Sequence, residues 1–220
     1  ANLVKVLDGG WFPLLVAAAA FVVMSTWKRG RRRLAEIMRE NTLPMDLFLD
    51  DIAKRQPYRV PGTAVFMTSA PGGASPVLLH HLKHNKVLHQ RVLMMSVLPE
   101  PFPQVDEVDR VNLRGLREGF YEVTARYGFM ETPDVPAMLS ALESKGLVVK
   151  PMETTFYLGR ETLIPTRSVR QGGNQSHRAA GLPLWRRKLF AVMARNAPSA
   201  TAFFGLPPNR VVELGAQIQF

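Results

Sequence analysis

Four histidines crowd one short stretch, His80, His81, His84 and His89, and imidazole is a common metal ligand near neutral pH. His80 and His84 are four residues apart, so on a helix they share a face. A zinc-protease helix needs Glu at position 81, where this chain has His, and no Cys or carboxylate nearby completes a ligand set. The spacing therefore reads as histidines on a solvated helix, with no metal site. A second place for chemistry is the turn Pro71-Gly72-Gly73 with Ser75 behind it. It comes after an apolar strand pattern and before a helix start, where free amides and the helix dipole favour phosphate. Gly72, Gly73 and Ser75 are thus candidate nucleotide-binding residues. The turn lacks the Lys-Ser/Thr of a P-loop and the spacing of a dinucleotide fingerprint, so a plain tight turn stays open as the other reading. Arg160-Glu161 and Glu131-Thr132-Pro133-Asp134 supply carboxylates, but their spacing pairs none of them with a base. No catalytic constellation results, and the expectation is a protein that is not an enzyme. The absence of Cys excludes disulfides and thiolate chemistry.

The elements around these residues are legible from periodicity. Gln56 to Gly62 is rich in Pro and Gly and marks a boundary. Thr63 to Thr68 reads as a buried strand. Ser75-Pro76 is an N-cap followed by Pro at the first helical position, opening a helix from Val77 to about His89. Arg91 to Leu98 is a second continuous apolar strand. Strand, helix and strand in this order predict a βαβ unit, with parallel strands covered on both faces. Residues 108–116 and 120–129 form a hairpin about Arg117-Glu118-Gly119. Tyr121, Val123, Ala125 and Tyr127 alternate with Glu122, Thr124 and Arg126, as in a half-exposed antiparallel strand. Asp134-Val135-Pro136 starts a helix that Lys145-Gly146 closes. Thr154 to Leu158 is a short strand, and Val212 to Phe220 is a last one. Residues 167–183 have almost no large apolar side chain and are expected to form a mobile loop.

Charge distribution sets the largest feature apart. Gly9 to Trp27 is nineteen residues without a charge, followed by Lys28, Arg29, Arg31, Arg32 and Arg33. As a helix it spans about 28 Å, close to the hydrocarbon thickness of a bilayer. Trp11 and Trp27 fall where aromatic rings settle at headgroup level, and the cations place the residues after Trp27 in the cytoplasm. A buried core helix and a cleaved signal peptide are the competing readings; the positive charge lies after the apolar run, against the second. Trp11, Trp27, Lys28, Arg29, Arg31, Arg32 and Arg33 are the candidate membrane-interface residues.

The net charge is +10. Residues 28–33, 167–183 and 184–195 together carry twelve cations and no acid, which leaves the remainder at −2. Confinement of positive charge to these stretches fits anionic lipid better than a nucleic-acid footprint, and no nucleic-acid partner is expected. Residues 184–195 form an amphipathic helix with Trp185, Leu189 and Met193 on one stripe. Core packing and a membrane-surface role are both open for that stripe. The domain reading is a membrane helix with its basic flank over residues 1–30, an amphipathic connector over 31–55, and a cytoplasmic domain over 56–220. The connector reads equally well as a helix packed on the core of that domain.

These strings carry a family likeness. Gly9-Gly10-Trp11-Phe12-Pro13-Leu14-Leu15 followed by Thr26-Trp27-Lys28-Arg29-Gly30 resembles the last membrane helix of the Kup-type (KUP/HAK/KT) potassium uptake permeases. The likeness continues through Val60-Pro61-Gly62-Thr63-Ala64-Val65-Phe66, Leu79-His80-His81-Leu82-Lys83-His84-Asn85-Lys86, Arg126-Tyr127-Gly128-Phe129-Met130-Glu131, Arg160-Glu161-Thr162 and Pro207-Pro208-Asn209-Arg210-Val211-Val212-Glu213-Leu214-Gly215. The resemblance implies the C-terminal portion of a bacterial inner-membrane transporter that moves K+ inward with H+, and Ala1 at the start fits a fragment. It implies an α/β fold: one transmembrane helix, then a cytoplasmic domain with a mixed, partly parallel sheet, similar to universal stress proteins. Some relatives bind cyclic di-AMP in that domain, which makes a membrane-tethered nucleotide-binding module the alternative function. Expected partners are membrane lipid, the remaining membrane helices of the same protein and a second copy in a homodimer. The ion pathway lies in helices outside this chain, so no transport residue is carried over.

Overall fold

The computed structural model describes residues 10–40, 42–69, 71–164 and 182–219. The expected mobile loop at 167–183 lies almost wholly outside them. Two compact units divide the chain: residues 1–37 with 162–197 and 217–220, and residues 38–161 with 198–216.

Helix α1 runs unbroken over Trp11–Glu40. Pro13 sits in its first turn, where its missing N–H is harmless, and no Gly-Pro pair interrupts it later. At 1.5 Å per residue it is about 45 Å long, so the apolar span and the basic flank share one rod. Among the described residues it is the one helix long and apolar enough to cross a membrane. Its side chains from Trp11 to Phe21 are exposed. Toward its C-terminal half one stripe is buried, Thr26, Gly30 and Leu34, each four residues from the last. Within the same unit, Phe190 of the helical segment Leu184–Arg195 lies against Gly30 of that stripe.

The second unit begins with the two-residue strand β1 (Leu43–Pro44) and helix α2 (Met45–Arg55). Met45, Phe48, Leu49 and Ile52 recur at three and four and are all buried. Strand β2 (Tyr58–Thr68) follows, then β3 (Gly73–Ala74), which pairs antiparallel with β1. Helix α3 (Pro76–Asn85) leads into β4 (Val87–Glu100), parallel to β2, so the expected βαβ unit is present. A short helix α4 (Glu107–Arg110) opens the hairpin β5 (Val111–Gly115) and β6 (Phe120–Gly128), whose strands are antiparallel. Glu118 and Gly119, both at positive φ, make its turn. Helix α5 (Val135–Ala141) is capped by Asp134, whose side chain accepts from the Ala137 amide. A 3-10 turn extends it to Gly146 in the left-handed region. Strands β7 (Thr154–Ile164) and β8 (Val211–Gln219), with α6 (Leu184–Arg195) and α7 (Ala200–Phe203) between them, complete the chain.

The main sheet has the order β5-β6-β4-β2-β7-β8. Strands β6, β4, β2 and β7 are mutually parallel, and β5 is antiparallel, so the sheet is mixed and partly parallel. Alternation along β2 and β4 sends Ala64, Phe66, Val92 and Met94 to one face and Val65, Leu93 and Met95 to the other. The first face packs under α2 and α3 with Phe48, Ile52 and Leu78; the second packs under α5 with Val135, Met138 and Leu142. Continuous apolar runs in the sequence are what a sheet covered on both faces requires.

Several boundaries differ from the sequence reading. Helix α3 ends at Asn85, with Lys86 in the left-handed region, so His89 of the expected helix lies in β4, and β7 runs past Leu158 to Ile164. The stretch expected to be a linker up to Gly62 already belongs to β2, and the register against β4 shifts between Val60 and Thr63. Pro61 has no N–H for the ladder, and Gly62 adopts φ +100, so the strand absorbs both in a bulge. A Cβ on Gly62 would lie 2.8 Å from the Glu153 carbonyl oxygen, which keeps the position to glycine.

Candidate functional site

The sequence singled out three places: the basic, aromatic end of α1, the Gly72-Gly73 turn and the histidines. The structure builds each differently.

At the end of α1, Trp11 is 55% and Trp27 37% exposed. Lys28, Arg29, Arg31 and Arg32 are exposed, while Arg33 is half-buried and pairs with Glu36 at 3.0 Å. Phe190 of α6, fully buried, lies over Gly30, where any Cβ would overlap its ring; its centroid is 5.5 Å from that of Trp27. Gly30 is therefore a socket in the helix surface. The stripe of α6 expected to pack was Trp185, Leu189 and Met193; instead Phe190 and Ala191 are buried, and Trp185 is 53% exposed. Residues 184–194 are apolar at eight of eleven positions, so periodicity leaves several stripes equivalent. The socket at Gly30 selects the one carrying Phe190.

At the turn, Gly72 has φ +91 and its N–H donates to a carboxylate oxygen of Glu122. A Cβ on Gly73 would overlap the Thr42 side chain, so β1 sits directly on this residue. The Ser75 hydroxyl accepts from the Leu78 amide at 3.2 Å, which caps α3. The three residues are together as expected, and each already has a local structural use.

The histidines separate into two pairs. His80 and His84 stack edge to face at 4.4 Å between centroids, on the side of α3 away from the core. His81 is only 3% exposed and sits among Phe66, Tyr157 and His89. The solvated-helix reading thus fails for His81, because α3 turns that position onto the sheet beside Leu78. Asn85 and the His81 Nδ1 are 3.0 Å apart, while His81 Nε2 and His89 Nδ1 are buried with no hydrogen-bond partner. Burial lowers the pKa of both imidazoles; for His81 the neighbouring His89 lowers it further, against a rise from the Val87 backbone. Among the described residues no group of three or more His, Cys, Asp and Glu is placed to hold a metal ion.

Sequence reasoning found no partner for Glu131, and the structure supplies three. Its carboxylate accepts from the Gly128 amide at 2.7 Å, the Val105 amide at 3.1 Å and the Arg110 guanidinium. Its pKa is lowered, first by the Gly128 amide, with Val105 and Arg110 adding to it against burial. The clasp holds the end of β6 against the loop of Phe102 and Pro103, whose carbonyls accept from the amides of Phe129 and Met130. Phe102, Phe129 and Met130, on the two segments so joined, are exposed at 59%, 67% and 73%. The one sequence signal for this clasp was a Glu three residues after a Gly at a strand end.

Residues 61–220 match the K+ potassium transporter C-terminal domain family, and residues 1–32 match the K+ potassium transporter integral membrane domain. The chain belongs to the Kup-type K+ transporter family. It is 58% identical over 224 residues to a probable potassium transport system protein Kup of an Anaeromyxobacter species, and 51% identical over 219 residues to that of Myxococcus xanthus. It is 50% identical over 219 residues to a probable potassium transport system protein Kup 1 of Geobacter sulfurreducens. Each alignment covers 100% of this chain and 32% or 33% of the relative. The chain thus spans about a third of the length of the Kup relatives it matches, as a C-terminal portion does. These relatives are named as transport proteins and not as enzymes. No solved structure matches the chain.

Proposed function

We propose that this chain is the cytoplasmic-side end of a bacterial potassium uptake transporter of the inner membrane, which couples K+ entry to H+. In this reading α1 is a membrane-spanning helix whose basic flank lies in the cytoplasm, and the α/β unit serves assembly and regulation. The observation that carries it is the unbroken rod of α1: a charge-free exposed span leads directly into Lys28, Arg29, Arg31, Arg32 and Arg33, within a chain whose two segments match the membrane and C-terminal domains of K+ transporters. Gly10 and the run Ala17 to Ala20 give the span small side chains, which suit close packing against further helices of the same protein. The exposed Phe102, Phe129 and Met130 support an assembly role, since large apolar side chains left in water favour a covered state.

Expression of the whole gene in a strain lacking K+ uptake is expected to restore growth at low K+, with uptake accelerating as the outside is acidified. No restored growth from a gene whose product reaches the membrane would overturn the transport reading, and uptake indifferent to the proton gradient would overturn the coupling.

A further inference from the structure

We infer that α6 is an interfacial helix whose exposed face binds the anionic phospholipid headgroups of the leaflet around the basic end of α1. The inference rests on the reading of α1 as a membrane-spanning helix and goes beyond it, since nothing in a transport function requires a second helix at the bilayer surface.

Phe190, seated in the socket of Gly30 beside Trp27, holds α6 against α1. That is the level at which the charge-free span ends and the cations begin, the level where headgroups lie if the helix spans the bilayer. With Phe190 and Ala191 turned inward, the exposed residues of the helix are Trp185, Lys188, Val192 and Arg195. The last three are three, seven and ten residues along from the first, which places all four on one face. That face joins two apolar side chains, Trp185 at 53% and Val192 at 52% exposed, to two cations. Arg186 flanks it with its guanidinium 5.1 Å from the Trp185 ring centroid. An indole and a valine lowered among headgroups, with Lys and Arg beside them for phosphates, is the composition of a helix lying in the interfacial plane.

The charge of the helix points the same way. α6 carries Arg186, Arg187, Lys188 and Arg195 and no acid. Arg186 and Lys188 lie in its first five residues, at the positive end of the helix dipole, while Arg187 between them donates to the Leu182 carbonyl. Cations there are unfavourable to an isolated helix. An external anion reverses that cost. The neighbouring end of α1 adds the exposed Lys28, Arg29, Arg31 and Arg32, so positive charge is concentrated on both helices, which a polyanionic surface complements.

The test uses the full-length transporter with an environment-sensitive nitrobenzoxadiazole dye on Val192→Cys, other cysteines removed, in phosphatidylcholine vesicles with and without about 30 mol % phosphatidylglycerol. Phosphatidylglycerol is expected to shift the emission to the blue and to allow quenching by lipids spin-labelled near the headgroup. In the same background R186Q/K188Q/R195Q is expected to raise the phosphatidylglycerol needed for half-maximal quenching by about fivefold per cation removed. About 0.5 M salt on the unsubstituted cations is expected to act in the same direction, which separates the effect from misfolding. A dye that stays in water in every vesicle, one that is shielded yet unquenched by lipid because protein covers it, or quenching abolished by inorganic phosphate each overturns the proposal. A transporter that still restores growth while giving any of these results retains the proposed function and loses only the role of α6.

Discussion

His81 and His89 differ from the histidines a few residues away only in where the chain aims them. Burial disfavours the charged form of both in the fold, and neither orphan nitrogen has a partner to receive a proton's charge. The unfolded chain takes up protons on these residues near pH 6.5, while the folded chain does so only at lower pH. Their contribution is therefore complete above about pH 6.5 and is lost as pH falls below it. The thermal midpoint is expected to drop between about pH 7.5 and about pH 5.5, and His81→Gln with His89→Gln is expected to flatten that slope. A slope unchanged by the double substitution would assign the acid sensitivity elsewhere. Glu131 marks the opposite case: a carboxylate held ionised by two amides and a guanidinium stiffens a loop without any part in chemistry.

Among the elements, α6 meets α1 through Phe190, which lies over Gly30 and beside Trp27. Gly30 offers Phe190 a site with no side chain in it, and any larger residue must displace a fully buried ring. Overpacking of this kind costs about 1–3 kcal/mol. Gly30→Leu is expected to loosen α6 and to speed tryptic cleavage at Arg186, Arg187 and Lys188 by roughly 5- to 100-fold where opening is fast relative to cleavage. Gly30→Ala combined with Phe190→Leu is expected to recover part of the protection, and cleavage unaffected by Gly30→Leu would mean that the socket does not hold the helix. The elements of the main sheet are less exposed to one substitution. β2 and β4 each pair with two strands and are packed on both faces, so their order is decided many times over.

For the whole molecule, the question is what covers the apolar tip of Phe102, Phe129 and Met130. The clasp of Glu131 ties the loop that presents them to the end of β6. If the α/β unit mediates assembly, Phe129→Asp with Met130→Asp is expected to shift the purified transporter from dimer to monomer in light scattering, with the thermal midpoint nearly unchanged because both side chains are already exposed. A dimer that survives the pair of acids would move the interface elsewhere. The same experiment leaves K+ uptake as an independent readout of whether assembly matters for transport.

Much of this architecture is set by composition and local period. A charge-free span ended by five cations, two continuous apolar strands about a capped helix and an alternating hairpin each impose their element whatever the rest of the chain does, because backbone geometry repeats every 3.6 or two residues. The family strings carried the resemblance to Kup-type transporters, and the matched segments bear it out. The parallel pairing of β2 with β4 and the antiparallel hairpin fell within what those runs imply, whereas the places of β6 beside β4 and of β7 beside β2 did not. Four further features also lay outside it. The inward stripe of α6, the burial of His81, the bulge at Pro61-Gly62 and the clasp of Glu131 depend on atoms supplied from elsewhere in the chain: Gly30, the sheet under α3, the Glu153 carbonyl and the Gly128 and Val105 amides. A period names the residues that share a face. Only the packed structure decides which face meets a partner, because that choice is made by shape and by unpaired hydrogen-bonding groups at a distance along the chain.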